Sequence, residues 1–224
     1  MIDIANQLKV IHRQVERQPT ADGAGERVSV LLRRSYDTRV EDVWDAVTDP
    51  DRMKRWFLPV SGDLRVGGSF QLEGNAGGEI LACEPPSLLR VTFGDPNSIV
   101  ELRLTAQGGG DTVLELEHTV PIEIAQSGAG AMWVGPGWDG ALLGLGLFLR
   151  GEAVGDPVAA ANSPEAQAFS KASVHAWAAV VEDSGTATAE QLAEATEVSL
   201  AQFAPDQATT SERDREHPAE LTGS

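Results

Sequence analysis

Residues 138–149 read Trp-Asp-Gly-Ala-Leu-Leu-Gly-Leu-Gly-Leu-Phe-Leu, an apolar run that carries three glycines and a single charge. Each glycine costs about 1 kcal/mol against alanine inside a helix, so about 3 kcal/mol of local preference must be recovered by packing. Trp138, Leu142, Leu145 and Leu149 share one helical face, and Leu143, Leu147 and Phe148 widen the apolar stripe until little polar surface is left. A helix of this composition is enclosed, and the rest of the chain has to supply the enclosure.

The material for it is a series of alternating segments. Val28, Val30 and Leu32 alternate with Ser29, Leu31 and Arg33, which predicts a strand with one buried face. After Pro59 glycine turns separate further short strands: Phe70 and Leu72; Ile80 and Ala82; Leu89, Val91 and Phe93, ended by Gly94-Asp95-Pro96; then Val100, Leu102 and Leu104. Gly108-Gly109-Gly110-Asp111 reads as a hairpin connection to Leu114 and Leu116. Glu101, Arg103, Glu115 and Glu117 fall in the opposite phase and read as cross-strand charges on a wet face. The pattern is an antiparallel meander with one greasy face.

Helices flank it. Ile4, Leu8, Ile11 and Val15 predict an amphipathic N-terminal helix ending before Pro19, followed by a linker over residues 20–25. A Thr38-x-x-Glu41 capping box opens a helix with Val43, Trp44 and Val47, and Asp49-Pro50 starts a second short one running into Arg55-Trp56-Phe57. Beyond the apolar run, residues 155–161 read as a break. Ser163-Pro164 then opens a helix with Phe169, Ala172, Ala176 and Val180 on one side. Thr188-x-x-Gln191 is a further capping box ahead of Leu192, Ala195, Ser199 and Phe203, and from Pro205 the apolar content falls so low that disorder is expected. The order is that of an α+β domain in which a curved antiparallel sheet wraps one long helix.

Charge and cysteine content narrow the function. Seventeen basic against 34 acidic residues give a net charge of −17, which repels phosphate backbones and anionic lipid, so neither nucleic acid nor a membrane is an expected partner. The basic trio Arg52, Lys54 and Arg55 has Asp49 and Asp51 beside it and reads as a solvated face. The apolar run is far short of the roughly 18–20 residues needed to span a bilayer, and the N-terminus has no signal-peptide pattern. The one cysteine, Cys83, is out of phase with Ile80 and Ala82 and has no internal partner, so the cytoplasm is the expected compartment.

Several motifs, in order and spacing, carry a family resemblance: Val43-Trp44 with Thr48-Asp49-Pro50, Trp56-Phe57, Gly67-Gly68-Ser69-Phe70, Gly78-Glu79-Ile80-Leu81 with Glu84-Pro85-Pro86, and Gly137-Trp138. From about Arg27 to Arg150 the chain resembles the family named after the activator of the Hsp90 ATPase, within the SRPBCC superfamily of helix-grip, START-like proteins. The resemblance implies about seven antiparallel strands, the first over residues 27–36, gripping a helix over 137–150 above a cavity. It divides the chain into an N-terminal helix and linker (1–26), a helix-grip domain (27–151), a C-terminal helical extension (152–204) and a disordered tail (205–224). The extension is expected either to cover the cavity mouth or to form a homodimer contact through residues 164–203.

The expected function is binding of a small hydrophobic ligand between sheet and helix. The candidate lining is Trp56, Phe70, Leu72, Val91, Phe93, Leu102, Leu104, Leu116, Trp133, Trp138, Leu142, Leu145 and Leu149, with the indoles offering apolar area and one N–H each to orient a guest. Gly140, Gly144 and Gly146 either leave room for a flat guest or let the helix approach the sheet closely. His118 follows the inward phase of Leu114 and Leu116 and is the one candidate for acid–base chemistry in a cyclase or hydrolase, against a plain role as a hydrogen-bonded histidine near a strand end. Asp139 reads as a helix-dipole residue in the first turn. No metal-ligand spacing, phosphate loop or nucleophile elbow occurs in the sequence, and no cofactor is expected. A chaperone-activating interaction module is the alternative from another class, for which the charge calls for a basic partner.

Overall fold

The computed structural model describes residues 2–20, 23, 25–152 and 155–206. Eight antiparallel strands form one curved sheet: β1 (Ile11–Pro19), β2 (Glu26–Tyr36), β3 (Val60–Gly62), β4 (Ser69–Leu72), β5 (Gly77–Glu84), β6 (Leu88–Phe93), β7 (Asp95–Ala106) and β8 (Thr112–Pro121), in the spatial order β1-β2-β8-β7-β6-β5-β4-β3. The helices are α1 (Ile4–Lys9), α2 (Val40–Thr48), α3 (Pro50–Met53), α4 (Ile122–Ala125), α5 (Gly135–Leu149), α6 (Pro157–Ala161), α7 (Pro164–Ser184) and α8 (Ala189–Phe203), with a 3-10 turn at Gly128–Trp133 ahead of α5. α5 is the segment with three glycines, and the sheet curls around it as the helix-grip expectation has it.

The extra strand is where the N-terminal helix was expected. Only Ile4–Lys9 is helical; Ile11–Pro19 pairs with β2 through Ile11↔Arg34 to Pro19↔Glu26. A spacing of four residues fits one helical turn and two strand repeats equally, so Ile11 and Val15 share a face either way. The unpaired edge of β2 decides between them, since its N–H and C=O groups need partners. The stretch before residue 27 is therefore built into the sheet, and Thr20 closes the hairpin with a 2.8 Å bond from its N–H to the Gly25 carbonyl.

Other expectations shift by a residue or a face. α2 starts one residue late: its N-cap is Arg39, which makes no capping bond, and the Thr38 hydroxyl donates to the Asp37 carbonyl instead of capping. Residues 157–161 form a short helix where a break was expected. Ser163 and Thr188 cap α7 and α8 as the sequence predicts, the latter in a complete capping box with Gln191. The buried face of α7 includes Phe169, as predicted, and runs on through Ser173, Val174, Trp177 and Val181, one residue round from the predicted Ala172, Ala176 and Val180, which are half-buried. That face packs on α5, β1 and the 3-10 turn, and on α8 Ala195 and Ser199 are buried. The extension thus covers the back of α5, not the cavity mouth. The buried face of α7 is used inside the chain, while Val198 on α8 is exposed. Residues 207–224, where disorder is predicted, lie outside the described residues, while Asp206 exchanges hydrogen bonds with Gln167.

Candidate functional site

A cavity of about 190 Å³ lies between the inner face of the sheet and α5, and it opens to solvent. Its floor is Trp138, Ala141, Leu142 and Leu145 on one stripe of α5; its roof is the inward phase of the strands; its end wall is Met53, Trp56 and Phe57 after α2. Of the candidates read from the sequence, Trp56, Phe70, Leu72, Val91, Phe93, Leu102, Leu116, Trp138, Leu142 and Leu145 are brought together on this wall. Leu104 is in the core, Trp133 is on the 3-10 turn, and Leu149 packs at the end of α5; none of the three reaches the cavity.

The sequence reading omitted Cys83 because of a β-bulge. The β5–β6 register passes from Ile80↔Val91 to Ala82↔Arg90, so one residue is skipped and Cys83 falls opposite Leu89 on the cavity side. Alternation cannot reveal such a phase reversal.

The indoles do not offer their N–H groups to a guest. Trp56 Nε1 donates to the Ala46 carbonyl at 2.9 Å, and Trp138 Nε1 donates to His118 Nδ1 at 3.1 Å. The rings therefore present carbon to the cavity. Since an indole only donates, His118 Nδ1 is an acceptor; the proton is on Nε2, which donates to Ser98 Oγ at 2.8 Å. His118 is 3% exposed and touches Trp138 and Phe93 edge-on, one layer behind the cavity wall. Burial pulls its pKa from 6.5 down to about 4, which keeps the ring neutral near pH 7. The histidine fixes the Trp138 ring and does not reach the cavity, so the acid–base reading loses its group.

The other side of α5 is polar and wired. Asp139, fully buried, accepts from Arg13 Nε at 2.9 and 3.1 Å on its two oxygens, from Trp177 Nε1 at 3.1 Å and from the Ser173 hydroxyl. It sits in the second turn of α5, because the helix begins at Gly135; its role is this network and not the helix dipole. Burial pushes its carboxyl up, opposed by Arg13, Ser173 and Trp177. Nearby, Arg34 Nη1 and the Tyr36 hydroxyl both donate to the Leu142 carbonyl, at 3.2 and 3.0 Å. Arg34 and Tyr36 are both buried, which lowers the pKa of the guanidinium and raises that of the phenol.

Two of the α5 glycines, Gly135 and Gly146, serve this side. A Cβ on Gly135 would come within 2.5 Å of the Trp177 ring, and one on Gly146 within 2.8 Å of Arg34. A Cβ on Gly144 would meet the Trp56 carbonyl at 3.2 Å, while Gly140 faces open space. Close approach is thus the reason for Gly144 and Gly146, and the small residue on the cavity floor is Ala141. Among the described residues no helix could cross a membrane and no group of His, Cys, Asp and Glu could hold a metal ion.

Residues 37–147 match the family described as activator of Hsp90 ATPase homolog 1-like protein. CalU16 from Micromonospora echinospora is 43% identical in its crystal structure, which covers 76% of this chain and 98% of that one with a TM-score of 0.63. The chain belongs to this family. The solution structure of CalU16 agrees, at 43% identity, 78% and 96% coverage and a TM-score of 0.65. A conserved protein from Enterococcus faecalis, EF2215, is 15% identical over 79% of this chain and 95% of its own, with a TM-score of 0.56, and shares the fold. The chain matches no curated protein. Coverage of CalU16 over nearly its whole length means that more of the described chain than residues 37–147 is common to this branch of the Hsp90-activator-like family.

Proposed function

We propose that the protein binds a small hydrophobic molecule in the cavity between the sheet and α5. The single observation that carries this reading is the cavity: about 190 Å³ of space, walled by carbon, in a core otherwise closely packed. A concave apolar cleft reaching into the core is the usual form of a small-molecule site, and apolar cavities of about 150 Å³ accept benzene-sized guests. The cavity takes roughly one or two rings of a guest, held by shape and contact with Trp56, Phe93 and Trp138, and its open mouth leaves room for a further ring. An interaction module acting on a chaperone is the competing reading that the family description supplies; a docking surface has no need of an apolar cleft between sheet and helix, which favours the first.

The test uses N-phenylnaphthylamine, an uncharged fluorophore that brightens in apolar surroundings. The full chain should bind it, and Ala141→Trp, which fills the floor of the cavity, should weaken binding at least about tenfold, the loss of roughly 1.4 kcal/mol of contact. Undiminished binding by the folded variant would overturn the reading.

A further inference from the structure

We propose that the guest also carries an anionic group, and that Arg55, with Arg52, receives it beside the end wall of the cavity. This rests on the cavity reading above and adds a ligand class: an apolar body with one acidic substituent. Met53, Trp56 and Phe57 line the cavity; Arg52 is in α3, and Arg55 is in the turn that follows it, directly before Trp56. The guanidinium carbons of Arg52 and Arg55 lie 5.5 and 5.0 Å from the centroid of the Phe148 ring. Phe148 is three residues past Leu145, the last residue of α5 on the cavity wall. Two cations therefore sit about one helical turn from an apolar chamber.

Their local acids are largely committed elsewhere. Asp51 holds Lys54 at 2.7 Å, and Asp49 caps α3, accepting from the N–H groups of Asp51 and Arg52 at 2.8 and 3.0 Å. Arg52 has only a 3.8 Å approach to Asp45. The Arg55 guanidinium is exposed and has no hydrogen bond or ion pair among the described residues. Arg55 is thus held by an aromatic face and not by a carboxylate. Stacking leaves the N–H edges of a guanidinium unspent, and those edges match the two oxygens of a carboxylate or sulfonate. The overall negative field is screened beyond about 10 Å at 0.1 M salt, so the two arginines set the local preference.

The experiment compares N-phenylnaphthylamine with anilinonaphthalene sulfonate, which has the same rings plus one sulfonate. The wild-type chain should prefer the sulfonate about tenfold, with the preference shrinking as salt is raised. In Arg52→Gln/Arg55→Gln the ratio of the two affinities should fall to about one. Equal affinities in the wild type, or a preference that survives the double substitution, would overturn the proposal. Binding of both probes that Ala141→Trp does not weaken is a different result, which sinks the cavity reading and the proposal with it; loss of the preference alone leaves the cavity reading standing.

Discussion

The two sides of α5 are built on opposite principles. Toward the cavity, Trp138, Ala141, Leu142 and Leu145 meet carbon and empty space; toward β1, β2 and α7, Asp139, Gly135 and Gly146 lie against the Arg13 guanidinium, the Trp177 indole and the Arg34 guanidinium. One side is permissive and the other is pinned by directional bonds. The difference teaches where this helix obtains its stability. A glycine-thinned rod whose cavity side is underpacked needs its other side to be over-determined, and the ion pair, the two carbonyl bonds at Leu142 and the Trp177 contact supply that.

The harshest way to break the pinned side is Asp139→Ala. It strands Arg13 as a buried charge and leaves Trp177 and Ser173 without their acceptor, so urea unfolding should report a loss of about 3–5 kcal/mol. Replacing both ionic partners by apolar residues, Arg13→Met with Asp139→Leu, should cost less than the single substitution. A null effect of Asp139→Ala would remove the contrast altogether.

Next in size is a pH effect at the junction of the two sides. The unfolded chain takes up a proton on His118 near pH 6.5, the folded chain only near pH 4, so the folded state is favoured fully above 6.5 and loses stability as pH falls through that window. The loss should approach about 3 kcal/mol at pH 4, measured by urea unfolding across the range, and His118→Asn should flatten most of the slope. Gly135→Ala should follow at about 1–3 kcal/mol, since the new methyl group drives into the Trp177 ring. The smallest stability effect belongs to Ala141→Trp, expected within about 1.5 kcal/mol by the same measurement because the cavity receives the indole. That variant should weaken guest binding at least about tenfold at little cost in stability, while Asp139→Ala costs mainly stability, and this crossing of effects is the sharpest form of the comparison.

Much of this was legible beforehand, and the limits have physical causes. The strands from β4 to β8 and the enclosed helix followed from alternation and from an apolar stripe too wide for solvent, and ten of the candidate lining residues do gather on one wall. β1 was hidden because a four-residue spacing satisfies both periods. Cys83 was hidden because a bulge reverses phase without changing composition. The Arg13–Asp139 pair joins residues far apart in the chain, and no local pattern signals a partner supplied by tertiary contact. The arginines beside Phe148 looked like any solvated charge run, since only the fold brings that ring beneath them.

The strand order has its own consequence for how the chain is made. β2 pairs on one edge with β1, its immediate predecessor, but on the other with β8, Ser29 facing Thr119. While a ribosome is still adding the intervening residues, the N-terminal hairpin and the later meander are two separate half-sheets, each with an open edge. Only the arrival of β8, whose other edge joins β7, welds them together. Nascent chains halted before Thr112 should therefore be the ones that recruit holding chaperones or aggregate, and release from them should coincide with emergence of Thr112–Pro121.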